Sequence, residues 1–235
     1  MIVLMPHNTS WQIFVYEYFV FLAKNISFVY MFRNQLNDKI GNLLNYLSSR
    51  LPNLNMTKAL KLLYLIDETA YLRSGVPVTW MDYKVWKMGP VAEELYNELR
   101  YDQSLVQNGK PVNLESFIET EKSEGQDGKL QITIYPKGKY QLCAFSAFEK
   151  ELIDNIIDRF GSYTGAQLIN LLHEENTLWH KCVTDHNLDL NFEVYSKKSN
   201  HTIDFAELIK DDPIKQMAAQ AAFESMQLQE DLDNF

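Results

Sequence analysis

Residues 58–99 read KALKLLYLIDETAYLRSGVPVTWMDYKVWKMGPVAEELYNEL. The first fifteen of these residues are apolar on most sides over two turns, which predicts a helix over 58–73. A helix that is apolar nearly all round belongs in the middle of a domain, not on its surface. Thr57 stands where an N-cap is expected, and Gly75 with Pro77 breaks the chain behind the helix. Residues 78–88 are aromatic and β-branched, which predicts a short strand or an ordered loop. Gly89-Pro90 then opens a second helix to about residue 102, because proline at a first helical position is pre-organised and gives up no needed N–H. Val91, Leu95 and Leu99 recur at every fourth position on one face of it. Glu93, Glu94 and Glu98 face elsewhere, and the first two suit the positive end of the helix dipole.

Working outward, Ile40, Leu43, Leu44 and Leu47 share one face of a helix over 35–50 that Pro52 stops. Downstream the period changes to two: Leu130, Ile132 and Ile134 alternate with Gln131, Thr133 and Tyr135. That is a half-buried strand, and 115–122 can pair with it across the glycines at 125 and 128. Ser146 and Glu149 form a capping box for a helix over 147–160, with Gly161 behind it. Thr164 and Gln167 repeat the box for a helix to about 174. Asp204 caps a short helix over 205–210, and Asp212-Pro213 starts a last one to about 230. Ile214, Met217, Ala218, Ala221 and Leu228 lie near one face of that last helix, which predicts that it docks on the domain or on a partner. The fold class is mainly α (α+β), a compact helical domain with a small β-hairpin.

The 235 residues and 27.5 kDa suffice for a sizeable core without disulfide or metal staples. Lys and Arg number 22 against 31 acids, a net charge of −9, which argues against binding driven by nucleic-acid phosphates. The charge is uneven: residues 204–235 hold eight acids and two lysines. Thirteen per cent of the chain is aromatic, and residues 1–30 contain eight of these side chains with only Glu17 and Lys24 charged. That stretch lacks the basic start and small-residue cleavage site of a secretory signal, and its apolar run is too short to span a membrane. It reads as an atypical extension, or as sequence upstream of a start at Met31. The organisation is then 1–30 as extension, 31–203 as the helical domain with its hairpin near 115–136, and 204–235 as an acidic helical segment. Cys143 and Cys182 form no CxxC pair and fit small buried hydrophobes in a reducing cytoplasm.

No phosphate-binding loop, dinucleotide fingerprint, nucleophile elbow or zinc-protease motif is present in the sequence. His173, His180, Cys182 and His186 are the right types for a metal, but their spacing matches no zinc pattern. Asp67 and Glu68 are adjacent on the central helix, so they do not face each other as an acid/base pair. Trp80, Tyr83, Trp86 and Met88 form an aromatic patch before Gly89-Pro90, which serves either as core packing or as a recognition surface. Lys84 and Lys87 alternate through it and make one side wet and basic. No catalytic residue, metal or cofactor is assigned.

These residues resemble the SocA-like or Panacea antitoxin domain. The shared pattern is Lys61-Leu62-Leu63-Tyr64, then Gly75-Val76-Pro77, Tyr83 with Trp86, Gly89-Pro90-Val91, and Leu95-Tyr96. Leu168, His173 and Trp179 continue it within TGAQLINLLHEENTLWHK at 164–181, so the likeness spans roughly 35–181. The resemblance implies a bacterial or phage-associated protein that neutralises a protein toxin by direct contact, without chemistry of its own. It implies a toxin that is basic and acts on translation or tRNA. Some relatives look like adaptors that deliver the toxin to a cellular protease. Partner contact is expected at Asp67, Tyr83, Trp86, Lys87, Met88, Gly89, Pro90 and Glu93. Structural roles are expected for Leu63, Tyr64, Gly75, Pro77, Val91, Leu95, Tyr96, His173 and Trp179.

Two alternatives compete. A DNA-binding regulator of its own operon needs a basic recognition helix, and 58–73 offers only Lys58, Lys61 and Arg73. An enzyme with an unrecognised site could use Asp67, Tyr64 and His173.

Overall fold

The computed structural model describes residues 39–235 except 108–109, 126–127, 195 and 234–235. The expectation for residues 1–30, and the start of the first helix at 35, lie outside the described residues. Everything described belongs to the unit Asn37–Phe235.

The chain is mainly helical with small antiparallel sheets. Helix α1 covers 39–50, and Ile40, Leu43, Leu44 and Leu47 are all fully buried. Strand β1, Leu54–Asn55, leads into α2, Met56–Ser74. The N-cap of α2 is Asn55, not Thr57: its side chain accepts from the Lys58 N–H at 2.9 Å. Two further residues, Met56 and Thr57, are helical because Asn55 ends a strand and is free to cap. Gly75 closes the helix at φ +79°, donating its N–H to the Tyr71 carbonyl at 2.8 Å. Leu60, Leu62, Leu63, Leu65 and Ile66 are all buried, on every side. Helices α4 (Ala147–Phe160) and α5 (Gly165–Leu172), strands and the later 3-10 turn all pack against α2, so it is the axis of the domain.

Residues 83–92 form a tight hairpin: the expected short strand forms, but Gly89-Pro90 opens a second strand and not a helix. β2 (Tyr83–Trp86) pairs antiparallel with β3 (Gly89–Ala92) in register Trp86↔Gly89, with Lys87-Met88 as the two-residue turn. Helix α3 is therefore shorter than expected, Glu93–Tyr101. Strands β4 (Val106–Gln107) and β5 (Lys110–Pro111) make a small hairpin beside it. β6 (Ile118–Glu124) pairs with β7 (Leu130–Pro136), and β1 extends that sheet. The capping boxes at Ser146/Glu149 and Thr164/Gln167 are both formed, and the second helix ends at Leu172 rather than 174.

Between 174 and 204, where the local pattern marks no element, the chain forms α6 (Leu178–Asp185), α7 (Leu188–Val194) and β8 (Lys198–Thr202). β8 pairs with the free edge of β2, giving the order β3-β2-β8. Asp204 caps the 3-10 turn Phe205–Ile209, and α8 runs from Pro213 to Asp233. α8 lies along the end of α2, where a Cβ on Gly75 would come within 2.4 Å of the Lys215 carbonyl oxygen. Its half-buried side is Ala218, Ala219, Ala222 and Met226, whereas Ile214, Met217 and Leu228 are exposed. The docked face is thus the small-residue one, which lets two backbones approach closely.

Candidate functional site

The β2–β3 hairpin sits on α2, and three buried polar groups fix it there. The first is Asp67, fully buried. Its Oδ1 accepts from the Val78 and Thr79 N–H groups, each at 2.8 Å. Its Oδ2 accepts from the Thr79 hydroxyl and, at 2.6 Å, from the Tyr83 hydroxyl. Burial pushes this carboxyl above the usual range, and the hydrogen bonds from Thr79, Tyr83 and Val78 pull against it. Every donor meets an acceptor, so Asp67 clamps the loop after α2 to the hairpin. Its neighbour Glu68 points elsewhere and accepts from the Tyr64 hydroxyl at 2.8 Å.

The second group is Lys61, which donates its ammonium to the Pro90 carbonyl at 2.6 Å. Burial lowers it to about 7. Gly89, at φ +93°, lies against it: a Cβ there would meet Lys61 Nζ at 3.1 Å and His173 Nε2 at 3.7 Å. Any side chain at 89 would press on the lysine as well as strain the backbone.

The third is the His173–Trp179 pair, stacked at 3.7 Å between ring centres and 4° from parallel. Trp179 donates its indole N–H to the Trp86 carbonyl at 2.9 Å, tying α6 to the hairpin. His173 is lowered to about 4, first by burial and then by the charge of Lys61. Its Nε2 is buried without a hydrogen-bond partner among the described residues, as is Trp86 Nε1. Tyr96 meets the Trp86 ring edge-on at 4.9 Å, and Lys198 Nζ lies 4.0 Å from the Trp86 ring centre.

Of the residues expected to touch a partner, Asp67, Tyr83, Trp86, Gly89 and Pro90 are buried. Lys87, Met88 and Glu93 reach the surface, with Met88 at the hairpin turn 55% exposed. Leu63, Tyr64, Gly75, Pro77, Val91, Leu95 and Trp179 are buried, and Tyr96 and His173 are partly so. The signal for Lys61 was present in the sequence as a cation flanked by leucines in an apolar helix. Lys198 gave none, because KSNHT has no apolar alternation.

The enzyme constellation does not assemble around one cavity. Tyr64 is bonded to Glu68, Asp67 is saturated by its four donors, and His173 faces Lys61 and Gly89. No three His, Cys, Asp or Glu side chains among the described residues could hold a metal ion. Nor is α2 a recognition helix: it is sheathed by its neighbours, Lys61 is inside, and Lys58 donates to the Gly161 carbonyl. No helix among the described residues is long and apolar enough to cross a membrane.

The site is thus a helical axis with a hairpin clamped on it, its polar groups committed to holding that clamp. The family model for the SocA-like antitoxin, Panacea domain, matches residues 60–180, from the start of α2 into α6. The chain belongs to that family. Neither the curated proteins nor the solved structures contain a match.

Proposed function

We propose that this chain neutralises a protein toxin by direct binding and performs no chemistry of its own. The family match over 60–180 carries the reading. The geometry supports it, because the titratable groups of the motif hold the hairpin in place instead of facing a substrate cavity. Asp67, Tyr83, Trp86, Gly89 and Pro90 then act from beneath, by fixing the surface that Lys87, Met88 and Glu93 share in presenting. The net charge of −9 favours a basic partner, such as a toxin that handles RNA, and would accelerate its encounter.

The test is co-expression with the product of each adjacent reading frame. The expected result is rescue of growth from one of them, with a stable complex recovered on purification. Toxicity without rescue for every neighbour overturns the reading.

A further inference from the structure

Trp80 has φ +57°, the left-handed conformation. For a bulky aromatic residue this is a true outlier that persists only where its surroundings impose it. Here they do. Asp67 holds Val78 and Thr79 immediately before Trp80 and Tyr83 shortly after it. The ring gains no core position in return. Trp80 is only half-buried and belongs neither to the core nor to the side chains packed against it.

What the conformation achieves is placement. Trp80 lines two clefts, each of about 440 Å3. On one side its neighbours include Met81, Leu105 and Val106, the last 49% exposed. On the other they include Tyr71, Ile209 and Phe223, the last 44% exposed. The first cleft is also lined by Asp82, Glu93 and Glu94 against a single lysine, Lys84. Lys84 donates to the Thr202 hydroxyl at 2.6 Å, and Glu93 faces Lys198 at 3.9 Å. Asp82 and Glu94 are exposed and make no hydrogen bond or ion pair among the described residues. A tryptophan set among Met81, Leu105 and Val106 on one side and Tyr71, Ile209 and Phe223 on the other, with unpaired carboxylates at the rim of the first, more polar cleft, repels phosphate and suits an apolar side chain flanked by cations.

We infer that the toxin seats a segment on the Trp80 clefts, an apolar side chain against the indole with Lys or Arg opposite Asp82 and Glu94. This rests on the antitoxin reading and places the centre of contact in the loop before the hairpin rather than at the hairpin turn. Trp, a common hot-spot residue, anchors such contacts, and an arginine can also stack on its face.

The experiment is calorimetric titration of the full chain with the protein from the adjacent reading frame. Three variants are compared: Trp80→Gly, the double change Asp82→Lys with Glu94→Lys, and Met88→Ala. Glycine accepts φ +57° without strain, so the first variant should melt no more than a few degrees below the parent. Trp80→Gly should weaken binding by at least about 30-fold. The charge reversal should weaken it about tenfold or more at low salt, with the loss shrinking as salt rises. Met88→Ala should change it less than about threefold, as a peripheral contact does. If no neighbouring protein binds the parent chain, the antitoxin reading falls and this inference with it. If the parent binds and both Trp80→Gly and the charge reversal bind equally well, the clefts are not the contact and the antitoxin reading stands. Loss confined to Met88→Ala overturns the inference in favour of the hairpin turn. Should Trp80→Gly fail to fold, the charge reversal on the exposed rim decides alone.

Discussion

A lysine among leucines on a helix is read most simply as the solvent-facing member, yet Lys61 is 2% exposed. The sequence showed the oddity but not the compensation, because the Pro90 carbonyl that accepts its proton lies in a hairpin 29 residues away. Asp67 is similar: the Asp67-Glu68 pair after an apolar run is visible, but the four donors to Asp67 come from a loop and a strand whose path local rules do not specify. The lysine has a measurable consequence. Its folded value of about 7 lies below the ordinary 10.5. Between those two values the unfolded chain keeps a proton that the folded chain has released, so stability rises with pH across that window. Below about 7 the folded state carries a buried ammonium at its full cost, on the order of a few kcal/mol. His173 adds a separate loss as pH falls from 6.5 toward 4, since its folded value is lowered as well. The expected result is a urea midpoint that rises from pH 7 to 9.5 in the parent chain and much less in Lys61→Met, where Lys58, also lowered by burial, remains, while both fall below pH 6.5. A Lys61→Met chain that rises as steeply as the parent between pH 7 and 9.5 would show that Lys61 is not the titrating group.

Elements were legible where local chemistry settles them. The capping boxes at 146 and 164 form as read, because both partners of each box lie within one turn. The apolar-all-round pattern of α2 located the domain axis for a similar reason: burial on every side leaves no polar stripe to misread. Gly89-Pro90 was misleading because Pro before an amphipathic acidic stretch satisfies every local rule for a helix start. It is instead the edge strand β3, where a missing N–H costs no ladder bond, and the pairing Val85↔Pro90 depends on the turn at Lys87-Met88. β8 was invisible since its polar sequence becomes a strand only by completing the edge of β2. The junction of α2 and α8 is a second non-local feature, carried by one glycine. At Gly75 the backbone is left-handed and α8 leaves no room for a Cβ, so Gly75→Ala meets both strain and a backbone oxygen 2.4 Å away. The variant should lose about 1–3 kcal/mol in denaturant unfolding, and α8 should become the first site of limited proteolysis. An unchanged midpoint together with an unchanged digestion pattern would mean that α8 does not rest on this glycine.

At the scale of the whole molecule, the core and the charge are held by different parts of the chain. The buried apolar cluster runs from Ile40 to Ile203, and no side chain of α8 among the described residues belongs to it. α8 instead brings four acids and a single lysine within 213–235, an alanine face against α2, and Phe223 to the second cleft beside Trp80. Composition alone located the acidic tail, but not which face docks: the large apolar residues Ile214, Met217 and Leu228 point outward while the small ones pack. Burying small side chains contributes little free energy, so a chain ending at Asp212 should fold and melt only about 2–8 °C below the full protein. Its effect on partner binding should be larger in salt dependence than in strength. Losing the acids removes long-range attraction for a basic protein, which acts mainly on the association rate, while losing Phe223 opens one wall of a cleft. Stopped-flow association with the adjacent-frame protein at two ionic strengths separates these terms. The expected outcome is a slower association at low salt, converging on that of the full chain at high salt, with dissociation several-fold faster at both. Equal association rates at low salt would assign the electrostatic steering to Asp82, Glu93, Glu94 and the rest of the domain, leaving α8 as a cover for α2.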